Sequence, residues 1–264
     1  MTEITSRTND NVKALCAVTA TAASRRSNGV ALLETEKLVR DAMQGGADCL
    51  QLWLCGEAAE RCGDLAVSAE AVGARVFLTV PSVMQKISRE DSGTNVLALV
   101  RRPQPRQELR TEGLNRILVL ENVQDPGNVG TALRSAAAFG FDVVLLSPGC
   151  ADPFGPKALR ASMGAAFRIP VFEQADCVGE VTKLGREGFL TVAAALDRDA
   201  VRLDACPAEE RVCVAVGSEG RGLTEELISA CGRTVFIPIS AGTESLNAAA
   251  AAAVLMWHYR NNNL

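Results

Sequence analysis

A chain of 264 residues, 48% of them hydrophobic, can bury a core as one large domain or two small ones. It holds no run of about 18 apolar residues, and its start, MTEITSRTNDNVK, lacks a basic stub leading into an apolar stretch; neither a membrane span nor a signal peptide is expected, and the cytoplasm is the expected compartment. A formal net charge of −4 argues against a nucleic-acid partner held by bulk charge, so any such partner has to be gripped by local patches such as Arg25 with Arg26, or Arg101, Arg102, Arg106 and Arg110.

Along the first part of the chain, helix-like apolar stretches near 10–21 and 34–44 alternate with short apolar runs, CLQLWLC, RVFLTV and NVLALV. This is the alternation of a small α/β layer domain. The segment RRPQPRQELRTEGLN, residues 101–115, combines two Pro, four Arg and a Gly with little apolar content, and reads as a linker. The predicted organisation is a first domain over 1–105, a linker over 106–113 and a second domain over 114–264.

Beyond the linker come RILVLE, DVVLLS, RIPVF, GFLTVAA, VCVAVG and TVFIPI, most of them too continuously apolar to keep a wet face. They read as parallel strands buried on both sides. The helical stretches VGTALRSAAAFG, KALRASMG, CVGEVTKLGREG and TEELISACG lie between them, which predicts an α/β domain with a mostly parallel sheet. Ligands of such sheets bind beyond the carboxyl ends of the strands. Three loops sit there, at 122–130, 217–222 and 238–247, each bringing Gly and a few polar side chains: Asn128 and Arg134, then Ser218 and Glu219, then Ser245 and Asn247. Taken singly, each has a plainer reading, its Gly making only a tight turn, with Asn128 as a helix N-cap and the Ile237 and Leu246 side chains as ordinary core. Three at one sheet edge predict a site.

The nine cysteines contain no C-x-x-C pair and have no nearby His, and read as reduced, mostly structural thiols with no metal site. No G-x-G-x-x-G or P-loop lysine motif follows a strand, which sets aside an ordinary nucleotide-binding enzyme.

In this order and spacing, NVGTALRSAAAFG with Asn128 and Arg134, GSEGRGL with Glu219, and IPISAGTESLN with Ser245 and Asn247 resemble the three motifs of the SpoU, or TrmH-like, RNA ribose 2′-O-methyltransferases of the SPOUT class. The resemblance covers 114–264, and extends more loosely to ITSRTNDNVKAL and ALLETEKLVRDAMQGG, which resemble the family's L30e-like substrate-binding domain. It implies methyl transfer from S-adenosylmethionine (SAM) to an RNA ribose 2′-hydroxyl, in rRNA rather than tRNA, by a homodimer whose C-terminal segment is threaded into a trefoil knot. It also implies that Arg134, Asn128, Glu219, Ser245 and Asn247 surround the reaction and that main-chain groups at Gly217, Ile237 and Leu246 hold the cofactor. The alternatives are a tRNA 2′-O-methyltransferase and a non-catalytic RNA-binding protein that retains the fold.

Two positions depart from the family pattern. AAAAAAVLMWHYR follows SLN where the family has a Val-Ser-Val-Ala type sequence, and Glu34-Thr35 stands where the family has Glu-Gly. The one histidine, His258, lies outside the motifs, so the commonest general base is missing from them. The family's activating residue is the motif 1 arginine, here Arg134. Because arginine stays protonated, its reading is either an unusually perturbed base or a cation that stabilises the developing alkoxide and the neighbouring phosphate while water takes the proton, with Asn128 and Glu219 orienting it.

Overall fold

The computed structural model describes residues 1–88, 93–104, 108–197, 199–207, 209–240, 242 and 245–260. They form two compact units, one of Met1–Gln104 with Phe154–Arg168, the other of Pro105–Pro153 with Ile169–Leu264.

The first unit is built on a five-stranded mixed sheet, β1 (Thr2–Ile4), β2 (Val30–Glu34), β3 (Cys49–Cys55), β4 (Arg75–Thr79) and β5 (Val96–Arg101), in the order β1-β4-β3-β5-β2. β1, β4 and β3 run parallel, and β5 and β2 pair antiparallel. Helices α1 (Asp10–Thr19), α2 (Ala22–Ser27), α3 (Glu36–Gln44), α4 (Ala58–Arg61), α5 (Gly63–Ala71) and α6 (Pro81–Ile87) complete it. Fully buried Trp53 packs on Phe77 with ring centroids 4.3 Å apart, at the centre of a core lined by Leu15, Leu32 and Leu97.

The helical reading of 34–44 misses a boundary. VALLE, buried at every position, is strand β2, and the turn into α3 is made by Thr35 at φ 93°. A β-branched residue held there costs about 1–3 kcal/mol, a cost glycine would not carry. The Thr35 hydroxyl accepts from Leu38 N at 3.4 Å and so caps the helix that the turn begins.

The second unit has a seven-stranded sheet in which every pairing is parallel. Its strands are β6 (Arg116–Leu120), β7 (Val143–Leu146), β8 (Val171–Glu173), β9 (Leu190–Ala194), β10 (Val201–Arg202), β11 (Val212–Val216) and β12 (Arg233–Phe236), in the order β10-β12-β9-β11-β6-β7-β8. Helices α7 (Pro126–Ala138), α9 (Cys177–Arg186), α10 (Glu225–Ala230) and α11 (Ala248–His258) cover it, and α8 (Pro156–Ser162) lies between β7 and β8 in sequence. β6, β7 and β11 are buried at every residue, as strands covered on both faces must be. The short edge strand β10 has both residues exposed and gave no apolar run to read.

The alanines of α11 let the helix pack closely beside α7 and against β11. Its end is pinned by buried Arg116, whose Nε donates to the Tyr259 carbonyl at 2.8 Å, and by a 3.0 Å contact between His258 Nε2 and the Cys206 carbonyl. Among the described residues, no helix is long and apolar enough to cross a membrane.

The linker and the segment around α8 both differ from the sequence reading. Positions 106–107 lie outside the described residues, but 108–113 is not a free tether. Leu109 is buried in the second unit's core, its carbonyl accepts from Lys183 Nζ at 3.0 Å, and Thr111 donates to Glu187 at 2.5 Å. Burying such a leucine contributes about 2 kcal/mol, enough to overrule the Pro and Arg around it. Residues 154–168, predicted within the second domain, pack with the first unit instead. There α8 lies on β2 with Ala158 and Leu159 fully buried, and Arg160 reaches the buried Glu34 carboxylate at 3.7 Å. Gly164, at φ 76°, lies so close to α3 that a Cβ would sit 3.0 Å from Ala42 N.

The first unit is therefore completed by a segment that arrives from the other side of the linker. A protease site opened between Gln104 and Glu108 is expected to leave both fragments co-eluting on gel filtration in native buffer. Free separation of an N-terminal fragment would show that 154–168 does not belong to its fold.

Candidate active site

The carboxyl ends of β6, β11 and β12 release the three loops singled out from sequence. After β6, the chain enters α7 through Asp125, whose carboxylate accepts from Asn128 N at 3.0 Å, with Pro126 in the first turn. Asp125, not Asn128, is the cap of α7, which leaves the Asn128 amide available. After β11, Gly222 N bonds the Ser218 carbonyl at 2.8 Å, and Gly217 presses on Gly222 so closely that any Cβ would run into its backbone. This tight turn carries Glu219 at its exposed tip.

After β12, the third loop ends at Asn247, which caps α11 by accepting from Ala249 N at 3.0 Å and Ala250 N at 3.2 Å. The other end of that side chain faces the first two loops. Asn247 Nδ2 donates to Asn128 Oδ1 at 3.0 Å and to Glu219 Oε1 at 3.4 Å. Ala248 N, at the start of α11, reaches the same Glu219 oxygen at 3.4 Å, and Asn128 Nδ2 also donates to it. A single carboxylate oxygen thus gathers donors from the first and third loops. The second Glu219 oxygen has no hydrogen bond among the described residues and can accept one from a bound hydroxyl or guanidinium.

The structure brings Asn128, Glu219 and Asn247 together, and it does not bring Arg134 or Ser245 into that network. Arg134 is exposed on α7 and forms no hydrogen bond or ion pair among the described residues. The expected orientation of Arg134 by Asn128 and Glu219 is absent here. At 3.6 residues per turn, a residue six positions beyond Asn128 projects about 120° away around the helix. Ser245 is exposed with no side-chain bond among the described residues, and positions 241, 243 and 244 of its loop lie outside them.

Ile237 and Leu246 are half-buried and Gly217 is buried, and the main-chain groups of all three make no hydrogen bond among the described residues. Main-chain polar groups in such places normally find a partner, so these three are open to a ligand or to water.

All nine cysteines are free. Burial pushes the Cys177 and Cys231 thiols up to about 12, which makes them packing residues rather than nucleophiles. Among the described residues, no three His, Cys, Asp or Glu side chains group as a metal centre would.

Comparison with known proteins gives consistent matches. Residues 115–257 match the model of the SpoU rRNA Methylase family. An uncharacterized tRNA/rRNA methyltransferase of Mycobacterium tuberculosis is 35% identical over 75% of this chain and 70% of its own length. The 23S rRNA (guanosine(2553)-2′-O)-methyltransferase RlmP of Bacillus subtilis is 30% identical over 89% of this chain and 90% of its own. Among solved structures, the AdoMet-bound rRNA methyltransferase of Sinorhizobium meliloti superposes with a TM-score of 0.86 at 28% identity, over 99% of this chain and 98% of that one.

Asn247 carries two separable loads, the cap of α11 and the tie to Asn128 and Glu219. Asn247→Ala is expected to lower the unfolding free energy by about 1 kcal/mol in a denaturant titration. Asn247→Ser, which can cap a helix but offers no amide donors, should recover most of that loss. An equal loss in both variants would place the stability in the amide bonds instead.

Proposed function

We propose a reaction for this chain from one premise: it belongs to the SpoU rRNA methylase family. It is a SAM-dependent RNA methyltransferase, and we infer that the acceptor is a ribose 2′-hydroxyl of ribosomal RNA. The observation that carries the reading is the convergence of donors from the first and third loops on the Glu219 oxygen of the second. It draws residues more than a hundred positions apart in sequence into one polar cluster at the open edge of a parallel sheet.

The chain's own groups suit the cofactor. The unpaired main-chain groups of Gly217, Ile237 and Leu246 would hold SAM, with the Ile237 and Leu246 side chains lining its adenine and the absent Cβ of Gly217 allowing close backbone approach. When bound, SAM supplies a methyl group on a positively charged sulfur. The remaining work is positioning an oxygen in line and stabilising the charge that grows on it as its proton leaves, and positioning alone supplies several kcal/mol.

Glu219, held by Asn128 and Asn247, orients the ribose through its second oxygen. Arg134 provides the fixed positive charge for the developing alkoxide and the adjacent phosphate, while water accepts the proton. Ser245 completes the third wall. The first unit serves as an L30e-like RNA-binding domain, which lets an acidic protein hold RNA through a local surface rather than through net charge.

Two further properties follow from the family. The first is a trefoil knot, supported by the path of the chain, which leaves the sheet at β12, on the far side of β9 from β11, and returns to pack α11 against β11 and α7. The second is a homodimer, supported by the face that α7 and α11 share. Val254 and Trp257, 39% and 55% exposed, lie on it with Ala250, and Trp257 meets Phe139, the residue that follows α7, edge to face at 5.8 Å.

Arg134→Ala is expected to leave SAM affinity by calorimetry nearly intact and to lower methyl transfer at saturating SAM by roughly two to four orders of magnitude. Arg134→Lys should not restore it, because an ammonium cannot make planar forked contacts. Near-normal transfer by Arg134→Ala on ribosomal RNA from a strain lacking the gene would remove Arg134 from the reaction. In light scattering, the wild-type chain should show the mass of a dimer at micromolar concentration and Trp257→Glu that of a monomer. A monomeric wild type would refute the pairing.

A further inference from the structure

Glu121, the acid that ends RILVLE, is given no task in the sequence analysis. In the structure it is 6% exposed. Its backbone N–H donates to the Val216 carbonyl at 3.0 Å, at the point where the second loop leaves β11. Its carboxylate grips the point where that loop ends: Oε2 accepts from Thr224 N at 2.7 Å and Oε1 from the Thr224 hydroxyl at 2.8 Å. Thr224 in turn caps α10, its hydroxyl oxygen accepting from Leu227 N at 3.3 Å. No cation pairs with Glu121 among the described residues, so this buried carboxylate is committed to Thr224 alone.

A buried carboxylate is costly unless its oxygens are satisfied, and a helix cap alone needs only a hydroxyl or an amide. What a carboxylate adds is two acceptors at once, matched to the N–H and O–H of one residue. Glu121 thereby closes both ends of the turn that carries Glu219, and it does so from the strand that leads directly into Asn128. We propose that Glu121 is a positioning residue for methyl transfer: it fixes the Glu219 turn against the Asn128 loop and so sets the Asn128–Glu219–Asn247 cluster. The inference rests on the reaction proposed above and adds to it a residue that touches neither RNA nor cofactor.

Glu121→Gln is nearly isosteric but offers one acceptor where two are needed, and Thr224→Val removes the hydroxyl from the other side. Each is expected to lower transfer at saturating SAM by about 10- to 100-fold, the scale for a displacement of about an ångström at a reacting centre. The decisive measurement is a double-mutant cycle with Glu219→Ala, following methyl transfer from SAM to ribosomal RNA isolated from a strain lacking the gene. If Glu121 acts through Glu219, then Glu121→Gln changes the rate by less than about 3-fold once Glu219 is alanine.

Equal losses in both backgrounds would make Glu121 a general structural residue and overturn the proposal, as would Glu121→Gln transferring like wild type. If Glu121→Gln does not fold, Thr224→Val carries the same cycle, and failure of both to fold would also overturn it. A wild-type chain that neither binds SAM nor transfers methyl would defeat the reaction itself, whereas an active wild type with an indifferent Glu121→Gln defeats only this inference.

Discussion

The site depends on one oxygen atom. Glu219 Oε1 accepts from Asn128 Nδ2, Asn247 Nδ2 and the first N–H of α11, and through those bonds three loops from separate parts of the chain are held as one surface. Several donors on one oxygen make the carboxylate hard to move. Parallel strands make this possible, because they deliver their loops to one edge without long connections. The cluster is also tied to the fold: Asn247 starts the last helix, and the tight packing of Gly217 on Gly222 leaves the Glu219 turn little freedom.

The units differ in how they achieve stability. The central strands β6, β7 and β11 of the second unit's sheet are buried on both faces, and its last helix uses small side chains to pack beside α7. The first unit draws on chain from beyond the linker: α8 covers β2, and Gly164 allows backbone-close contact with α3. The first unit is thus made of two separate stretches of chain, Met1–Gln104 and Phe154–Arg168. Net charge says little about the RNA in such an arrangement, since binding is decided by where charges lie.

Much of this was legible in the sequence, for identifiable reasons. Continuous apolar runs such as RILVLE and VCVAVG announce doubly covered parallel strands, and Gly-rich polar loops after them announce a site at the sheet edge. Asn128, Glu219 and Asn247 could be picked out because polar residues cost too much at such an edge without a task. What was hidden depended on tertiary partners. Strand β2 is passed over and α3 is begun at Glu34, because four apolar residues ending in an acid have no period of their own and Thr35 is an improbable residue for a left-handed turn. Leu109 looked like linker until the core that buries it was present. Asp125 took the cap that Asn128 could have filled, and Glu121 gave no sign that Thr224, far along the chain, would face it. Residues 154–168 carry an ordinary helical pattern, and pattern alone cannot say which unit an amphipathic helix will cover.

The central claim is that this cluster directs methyl transfer to a ribose oxygen of ribosomal RNA. It is tested most directly by incubating the purified chain with methyl-labelled SAM and ribosomal RNA from a strain lacking the gene, digesting the RNA to nucleosides and identifying the labelled one. Label is expected in a single 2′-O-methylnucleoside, and is lost in Arg134→Ala. Label in a base-methylated nucleoside, or none in RNA from a chain that binds SAM, would contradict it.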